Sequence, residues 1–264
     1  RIVVRRLEDG AEHTIAFAEE AYSLGLGGTY EYDTTAIRFS YSSPTTPNQT
    51  FEYDVETRER QLLKTQEVPS GHEPSLYVAR RIFAPAPDGE TVPISLVYRR
   101  DTPLDGSAPC MLYGYGSYGH SIPASFSTNV LSLVDRGFVY AIAHIRGGKD
   151  KGFRWYEAGR REHKRNTFTD FIAAAEHLVS ARYTSRERLA IRGGSAGGLL
   201  MGAVVNMRPE LFRAVVADVP FVDVINTMAD ASIPLTTAEW VQWGNPVASE
   251  REYRYMLSYS PYDN

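Results

Sequence analysis

A chain of 264 residues with 43% hydrophobic content and a net charge of −4 carries enough apolar material for one large core or two unequal ones. Its longest purely apolar run, Phe138 to Ala143, falls far short of the roughly 18 residues that suggest a membrane span, and the opening RIVVRRLEDG lacks a secretory-leader pattern, so a cytoplasmic protein is expected. The mildly acidic balance, with no long basic tract, excludes an electrostatic footprint for nucleic acid.

Residues 1–71 read as short alternating segments split by turn residues: RIVVRRL, then AIRFSYSS, PTTPN, TFEYDV and ETRERQLL. Strand, Pro-rich loop, strand, turn and strand in that order predict antiparallel sheet close to one blade of a β-propeller. A single blade needs neighbours to bury its faces, so the expectation is the tail of a larger array.

After Gly71 the texture changes. Strands are expected at LYVARRIF, TVPISLVYR, PCMLYGY, FVYAIAHI, RLAIRGG and FRAVVADV, the last four apolar enough to be covered on both faces. The single cysteine, Cys110, falls in one of them and is expected to pack in the core. RREHKR at 160–165 reads as a solvated lead-in to a helix over NTFTDFIAAAEHLVSARY, with Phe168, Phe171, Ile172, Ala175, Leu178 and Val179 on one face and Thr167 with Asp170 as a capping box. Strand alternating with helix predicts an α/β fold with a mainly parallel sheet wrapped by helices.

The stretch LAIRGGSAGGLLMG places Gly193-Gly194-Ser195-Ala196-Gly197 between a strand and a helix, the context that a G-x-S-x-G nucleophile elbow requires. Ser195 is therefore the candidate nucleophile, with the helix N-terminus behind it favouring developing negative charge. An earlier strand runs into YGYGSYGHS at 113–121, whose glycines allow close backbone approach and whose tyrosines could reach a substrate, as one half of an oxyanion hole demands. No metal-ligand spacing and no dinucleotide fingerprint occurs, so no cofactor is expected.

YGYGSYG, HIRGG, GGSAGG, NMRPELF, VPFVDV, SIPLTTAEW, WGNP and YSPYDN follow one another as in the prolyl oligopeptidase family of serine peptidases, most closely its oligopeptidase B branch. The resemblance covers nearly the whole chain and implies an α/β-hydrolase fold over 73–264, preceded at 1–72 by the last blade of a β-propeller and its link. It implies short peptides as substrates, cut after Arg or Lys; the protein is taken as a monomer, with an oligomer as the alternative. Carried across residue by residue, Ser195 resembles the nucleophile; the backbone N–H of Ala196 and the hydroxyl of Tyr115 resemble the oxyanion donors. Tyr118 and Phe221 fall at primary-pocket positions, and Glu239 aligns with a carboxylate that receives the basic side chain. A carboxylate offers a guanidinium two parallel charge-assisted hydrogen bonds, which a proline pocket has no use for.

Two departures from the branch, Val241 in place of a second glutamate and SIPASF with Pro123 and Ser125 in place of an aspartate pair, imply a weaker preference for a second basic residue. In α/β hydrolases the acid and base follow the serine, yet His13, His72, His120, His144, His163 and His177 all precede Ser195. His144 and His120 are poor substitutes, and Asp218 is read as structural or pocket-lining. The expectation is a fragment that lacks its acid and histidine loops and is inactive and unstable alone. A prolyl-specific oligopeptidase, an acylaminopeptidase or esterase of the same superfamily, and a non-catalytic binding domain are the alternatives.

Overall fold

The structure is a computed structural model that describes residues 1–28 and 30–264. Among the described residues twelve strands fall into three sheets. β1 (Ile2–Arg5) and β2 (Glu12–Ile15) form an antiparallel pair. β3 (Ser23–Leu26), β4 (Ala36–Ser42), β5 (Gln49–Asp54) and β6 (Arg60–Thr65) form a four-stranded antiparallel meander. The expected strand–loop–strand–turn–strand unit corresponds to β4, β5 and β6, and β3 supplies a fourth strand. Ile2, Ile15, Phe39, Tyr41 and Tyr53 form a small core joining these two sheets, while β6 is exposed along its whole length.

The third sheet has the order β12-β11-β9-β10-β8-β7. It comprises β7 (Tyr77–Pro85), β8 (Thr91–Arg99), β9 (Cys110–Tyr113), β10 (Val139–Ala143), β11 (Leu189–Gly194) and β12 (Ala214–Asp218). β8 runs antiparallel to both neighbours, and β10, β9, β11 and β12 run parallel. Side chains alternate across β8. Val92, Ile94, Leu96 and Tyr98 enter the large core, whereas Val97 points to the opposite face and meets Leu131 and Val134 of α1 (Thr128–Val134). Cys110 is fully buried in the large core, as its sequence context predicts.

Five further helices follow α2 (Phe153–Glu157): α3 (Arg165–Ser180), α4 (Ala196–Met207), α5 (Val224–Ala229), α6 (Thr236–Trp243) and α7 (Glu250–Leu257). α3 buries Phe168, Phe171, Ile172, Ala175 and Leu178, and Val179 packs at the margin. α4 contributes Leu199, Leu200, Met201 and Val204 to the same core.

Three sequence expectations are corrected. Thr167 and Asp170 do not cap α3, which starts at Arg165 with no side-chain cap; the Thr167 hydroxyl instead donates to the Arg146 carbonyl at 2.9 Å, and Asp170 accepts from the Arg146 guanidinium. Within RREHKR the flanking residues are exposed as expected, but Lys164 is 1% exposed. β12 is not covered on both faces. Among the described residues it lies at the edge of the sheet, with Val215 42% and Val216 38% exposed.

Candidate active site

The turn between β11 and α4 gives Ser195 φ 56° and ψ −117°, a region that a residue with a Cβ rarely occupies. The strain is held by backbone hydrogen bonds on both sides. The Ser195 N–H donates to the Asp218 carbonyl at 2.9 Å, and its carbonyl accepts from Gly198 at 2.8 Å and from Phe221 at 3.1 Å. The flanking glycines are needed for close approach: a Cβ at Gly193 would stand 2.3 Å from the Gly197 carbonyl oxygen, and one at Gly197 would stand 2.8 Å from that of Gly114. Ser195 is exposed, and its hydroxyl has no hydrogen-bond partner among the described residues. As the first residue of α4, Ala196 has no intrahelical acceptor for its N–H, which is left available at the positive end of the helix.

The loop after β9 approaches this turn. The Tyr115 ring lies 3.4 Å from where a Gly197 Cβ would be, so it packs beside the serine turn. Its hydroxyl has no partner among the described residues, and burial raises its pKa, so it stays a neutral donor.

Glu239 lies on α6, within an aromatic cluster. One carboxylate oxygen accepts from the Tyr118 hydroxyl at 2.8 Å and from the Trp243 indole N–H at 2.6 Å. The Trp243 ring is 5.4 Å from that of Phe221 and 5.7 Å from that of Tyr118, and Tyr115 and Tyr118 lie 6.4 Å apart. Burial first, then the hydrogen bond and charge of Glu239, raises the Tyr118 pKa. A continuous path therefore runs from Ser195 through Phe221 and Trp243 to Glu239. The second oxygen of Glu239 accepts no side-chain hydrogen bond among the described residues.

Two residues of this cluster are not evident as site members in the sequence. Trp243 is one; its place in an amphipathic helix reads as ordinary core. Lys164 is the other. Its ammonium nitrogen donates to the Gly116 carbonyl at 2.7 Å and to the hydroxyls of Ser117 and Thr167 at 2.9 and 3.3 Å, beneath the tyrosine loop.

The histidines give Ser195 no base. His144 Nε2 lies 2.6 Å from the Ser95 hydroxyl and Nδ1 lies 3.0 Å from Asp150. Burial lowers its pKa, so the neutral ring donates from Nδ1 and accepts at Nε2. His120 is exposed and packs edge-on against Tyr115, 5.6 Å between centroids. The Asp218 carboxylate accepts from Arg192 at 2.8 Å. No helix among the described residues is long and apolar enough to cross a membrane.

The sequence profile of the Prolyl oligopeptidase family matches residues 124–264, and that of its N-terminal beta-propeller domain matches residues 1–66. The chain is 51% identical to Dipeptidyl aminopeptidase BI of Pseudoxanthomonas mexicana over 97% of its own length and 35% of that protein. It is 46% identical to Protease 2 of Moraxella lacunata, over 98% of the chain and 37% of the relative. The solved structure of Oligopeptidase B from Leishmania major superposes with a TM-score of 0.91 at 48% identity, covering 99% of this chain and 37% of that one. The chain thus spans little more than a third of the length of these relatives. The strand–serine–helix turn on a mainly parallel sheet, the blade-like meander before it and both profile matches agree: the chain belongs to the prolyl oligopeptidase family, as a stretch of its β-propeller followed by the α/β-hydrolase peptidase domain.

Proposed function

We propose that this chain carries the nucleophile half of a serine oligopeptidase that hydrolyses short peptides on the carboxyl side of Arg or Lys. The observation that carries the reading is the carboxylate of Glu239, set in the cluster of Tyr118, Phe221 and Trp243 that contacts the Ser195 turn through the Phe221 amide. An aromatic wall around one carboxylate suits a long cationic side chain, whose stem packs on rings while its head meets the free oxygen. In this reading Ser195 attacks the scissile carbonyl, and the Ala196 N–H and the Tyr115 hydroxyl hold the oxyanion of the tetrahedral intermediate. An acyl-enzyme then forms and is hydrolysed by water. An acid and a histidine outside residues 1–264 complete the triad, so residues 1–264 by themselves are inactive, with 1–72 contributing propeller and link and 73–264 the peptidase part. Loss of a triad base lowers turnover on the order of a millionfold.

The test is made on the complete polypeptide carrying this sequence. A fluorophosphonate should label Ser195 rapidly, and peptides ending in Arg or Lys should be cut at least about a hundredfold faster in kcat/KM than those ending in Pro, the difference expected for a buried charge pair. Rapid labelling with a preference for Pro would favour the prolyl-specific relative, and no labelling would favour a binding domain. Val241, Pro123 and Ser125 add no carboxylate near the pocket, so dibasic peptides should gain little over monobasic ones. A strong dibasic advantage would overturn that part.

A further inference from the structure

Lys164 is the one fully buried lysine among the described residues, and no carboxylate pairs with it. Buried charges are ordinarily paired. This one lies beneath the tyrosine loop, where its three N–H donors meet three oxygens: the Gly116 carbonyl and the hydroxyls of Ser117 and Thr167. The Thr167 hydroxyl donates onward to the Arg146 carbonyl, which fixes its oxygen as an acceptor. The same ammonium stands 5.1 Å from the centre of the Trp243 ring, and Trp243 donates its indole N–H to Glu239 at 2.6 Å. Lys164 and Glu239 therefore grip two sides of one indole. The loop that Lys164 holds also carries Tyr115 and Tyr118. Gly116 fits there because a Cβ would come within 2.4 Å of Thr167 and 2.8 Å of Ile145, so the loop has little room to reseat by itself.

We propose that Lys164 is a positioning residue for the Glu239 pocket: its side chain ties the 114–119 loop to Trp243, and the proton it carries is coupled through that floor to the binding of a cationic side chain beside Glu239. The inference rests on the reading of that cluster as the pocket for a basic side chain. Its sign follows from like charges. A cation seated against Glu239 disfavours the ammonium below, and reciprocally a neutral Lys164 favours the cation. Burial brings the Lys164 pKa down to about 7, which puts the exchange inside the working range. The neutral amine keeps two donors, and the Ser117 hydroxyl can turn to donate to its lone pair, so the floor survives the loss of the proton.

The other ionisable groups around the cluster are Tyr115 and Tyr118 on the loop with Lys149 and the exposed His120 against it, Glu239 on α6, Arg161, Glu162, Arg251, Glu252 and Tyr255 beside Trp243, and the exposed His163 next to Lys164 in the chain. Tyr115, Tyr118 and Tyr255 are raised by burial and remain neutral. An H120Q/H163Q background separates the imidazole protons from that of Lys164.

The experiment is calorimetric binding of benzamidine, a rigid amidinium cation, to the complete polypeptide carrying this sequence between pH 6 and 8.5. Affinity is expected to rise about fivefold with pH. The rise should persist in H120Q/H163Q and vanish in K164M, which keeps the apolar stem without the proton. A flat profile in the unsubstituted protein, or an undiminished rise in K164M, overturns the proposal. Should K164M not fold, the Gly116 and Ser117 amide and Trp243 indole resonances of the unsubstituted protein decide. A common midpoint near 7 that falls on adding benzamidine supports the coupling, and no shared midpoint overturns it. Glu239→Gln separates the two readings: if it leaves benzamidine binding unchanged the pocket assignment fails, whereas the resonance titration still reports on Lys164.

Discussion

Ser195 keeps φ 56° and ψ −117° because its N–H is held by the Asp218 carbonyl and its own carbonyl by the Gly198, Leu199 and Phe221 amides. A residue so held stores about 1–3 kcal/mol, and glycine occupies the same region without a Cβ penalty. Ser195→Gly should therefore raise the unfolding free energy by about 1 kcal/mol, after glycine's extra unfolded-state freedom is offset, while abolishing fluorophosphonate labelling. A thermal melt paired with intact-mass labelling checks both. A fall in stability would mean that the turn is not strained. Tyr115 offers beside that turn a hydroxyl with no partner among the described residues, and if it holds the oxyanion as proposed, its removal lowers turnover about a hundredfold to a thousandfold. Tyr115→Phe should show that loss in kcat with KM little changed. The serine and its glycines are legible in the sequence because the turn's steric demands admit few other residues. Lys164 is not, because a lysine in RREHKR looks like its exposed neighbours, and only the tertiary placement of the tyrosine loop and Trp243 over it buries the ammonium.

At the scale of elements, the start of α3 shows what pattern reading misses. Thr167 and Asp170 have the spacing of a capping box, but β10 leads directly to Arg146, whose guanidinium claims Asp170 at 2.5 and 2.8 Å and whose carbonyl claims Thr167. That pair is 4% and 0% exposed. Asp170→Asn leaves the buried Arg146 guanidinium with the half-exposed Asp88 as its remaining carboxylate and should destabilise by about 3 kcal/mol, the low end for breaking a buried pair, in chemical denaturation. The apolar face of α3 is legible because its period is helical, whereas the exposure of β12 is not, since an apolar strand reads alike in the middle of a sheet and at its edge. In the N-terminal meander Glu19 plays the part that turn residues alone do not announce. It accepts from Ser43 and Thr45 at 2.6 Å, from Thr46 at 3.1 Å and from Tyr41, tying down the Pro-rich loop between β4 and β5. Partial burial opposes its charge, but these hydroxyls prevail and hold its pKa below the usual carboxylate range. A depressed folded pKa gives stability that is present above about pH 4.5 and lost as pH falls through the folded value. Glu19→Gln should remove that acid-sensitive component. An unchanged acid-unfolding curve would contradict it.

For the whole molecule, two layers of helix on a mainly parallel sheet were legible because near-continuous apolar strands alternate with amphipathic helices. The change in texture after Gly71 falls between β6 and β7, where the antiparallel meander gives way to the mixed sheet. What sequence order hides is convergence: Tyr118, Phe221 and the α6 pair Glu239 and Trp243 come from three stretches and meet only because β9, β11 and β12 end on one side of the sheet. Lys164 adds a global signature. Its folded pKa lies below the 10.5 of an unburied lysine, so the unfolded chain binds more protons between about pH 7 and 10.5, and stability should rise with pH across that window. K164M should lack that rise, which amounts to a few kcal/mol on the order expected from such a shift.

The most direct measurement is kcat/KM for matched peptides ending in Arg and in Pro, with Glu239 and with Glu239→Gln, in the complete polypeptide. Glu239→Gln is expected to lose about a hundredfold or more on the Arg peptide and to leave the Pro peptide within about twofold. Equal losses on both peptides, or none on either, would contradict the assignment of Glu239 as the partner of a basic side chain.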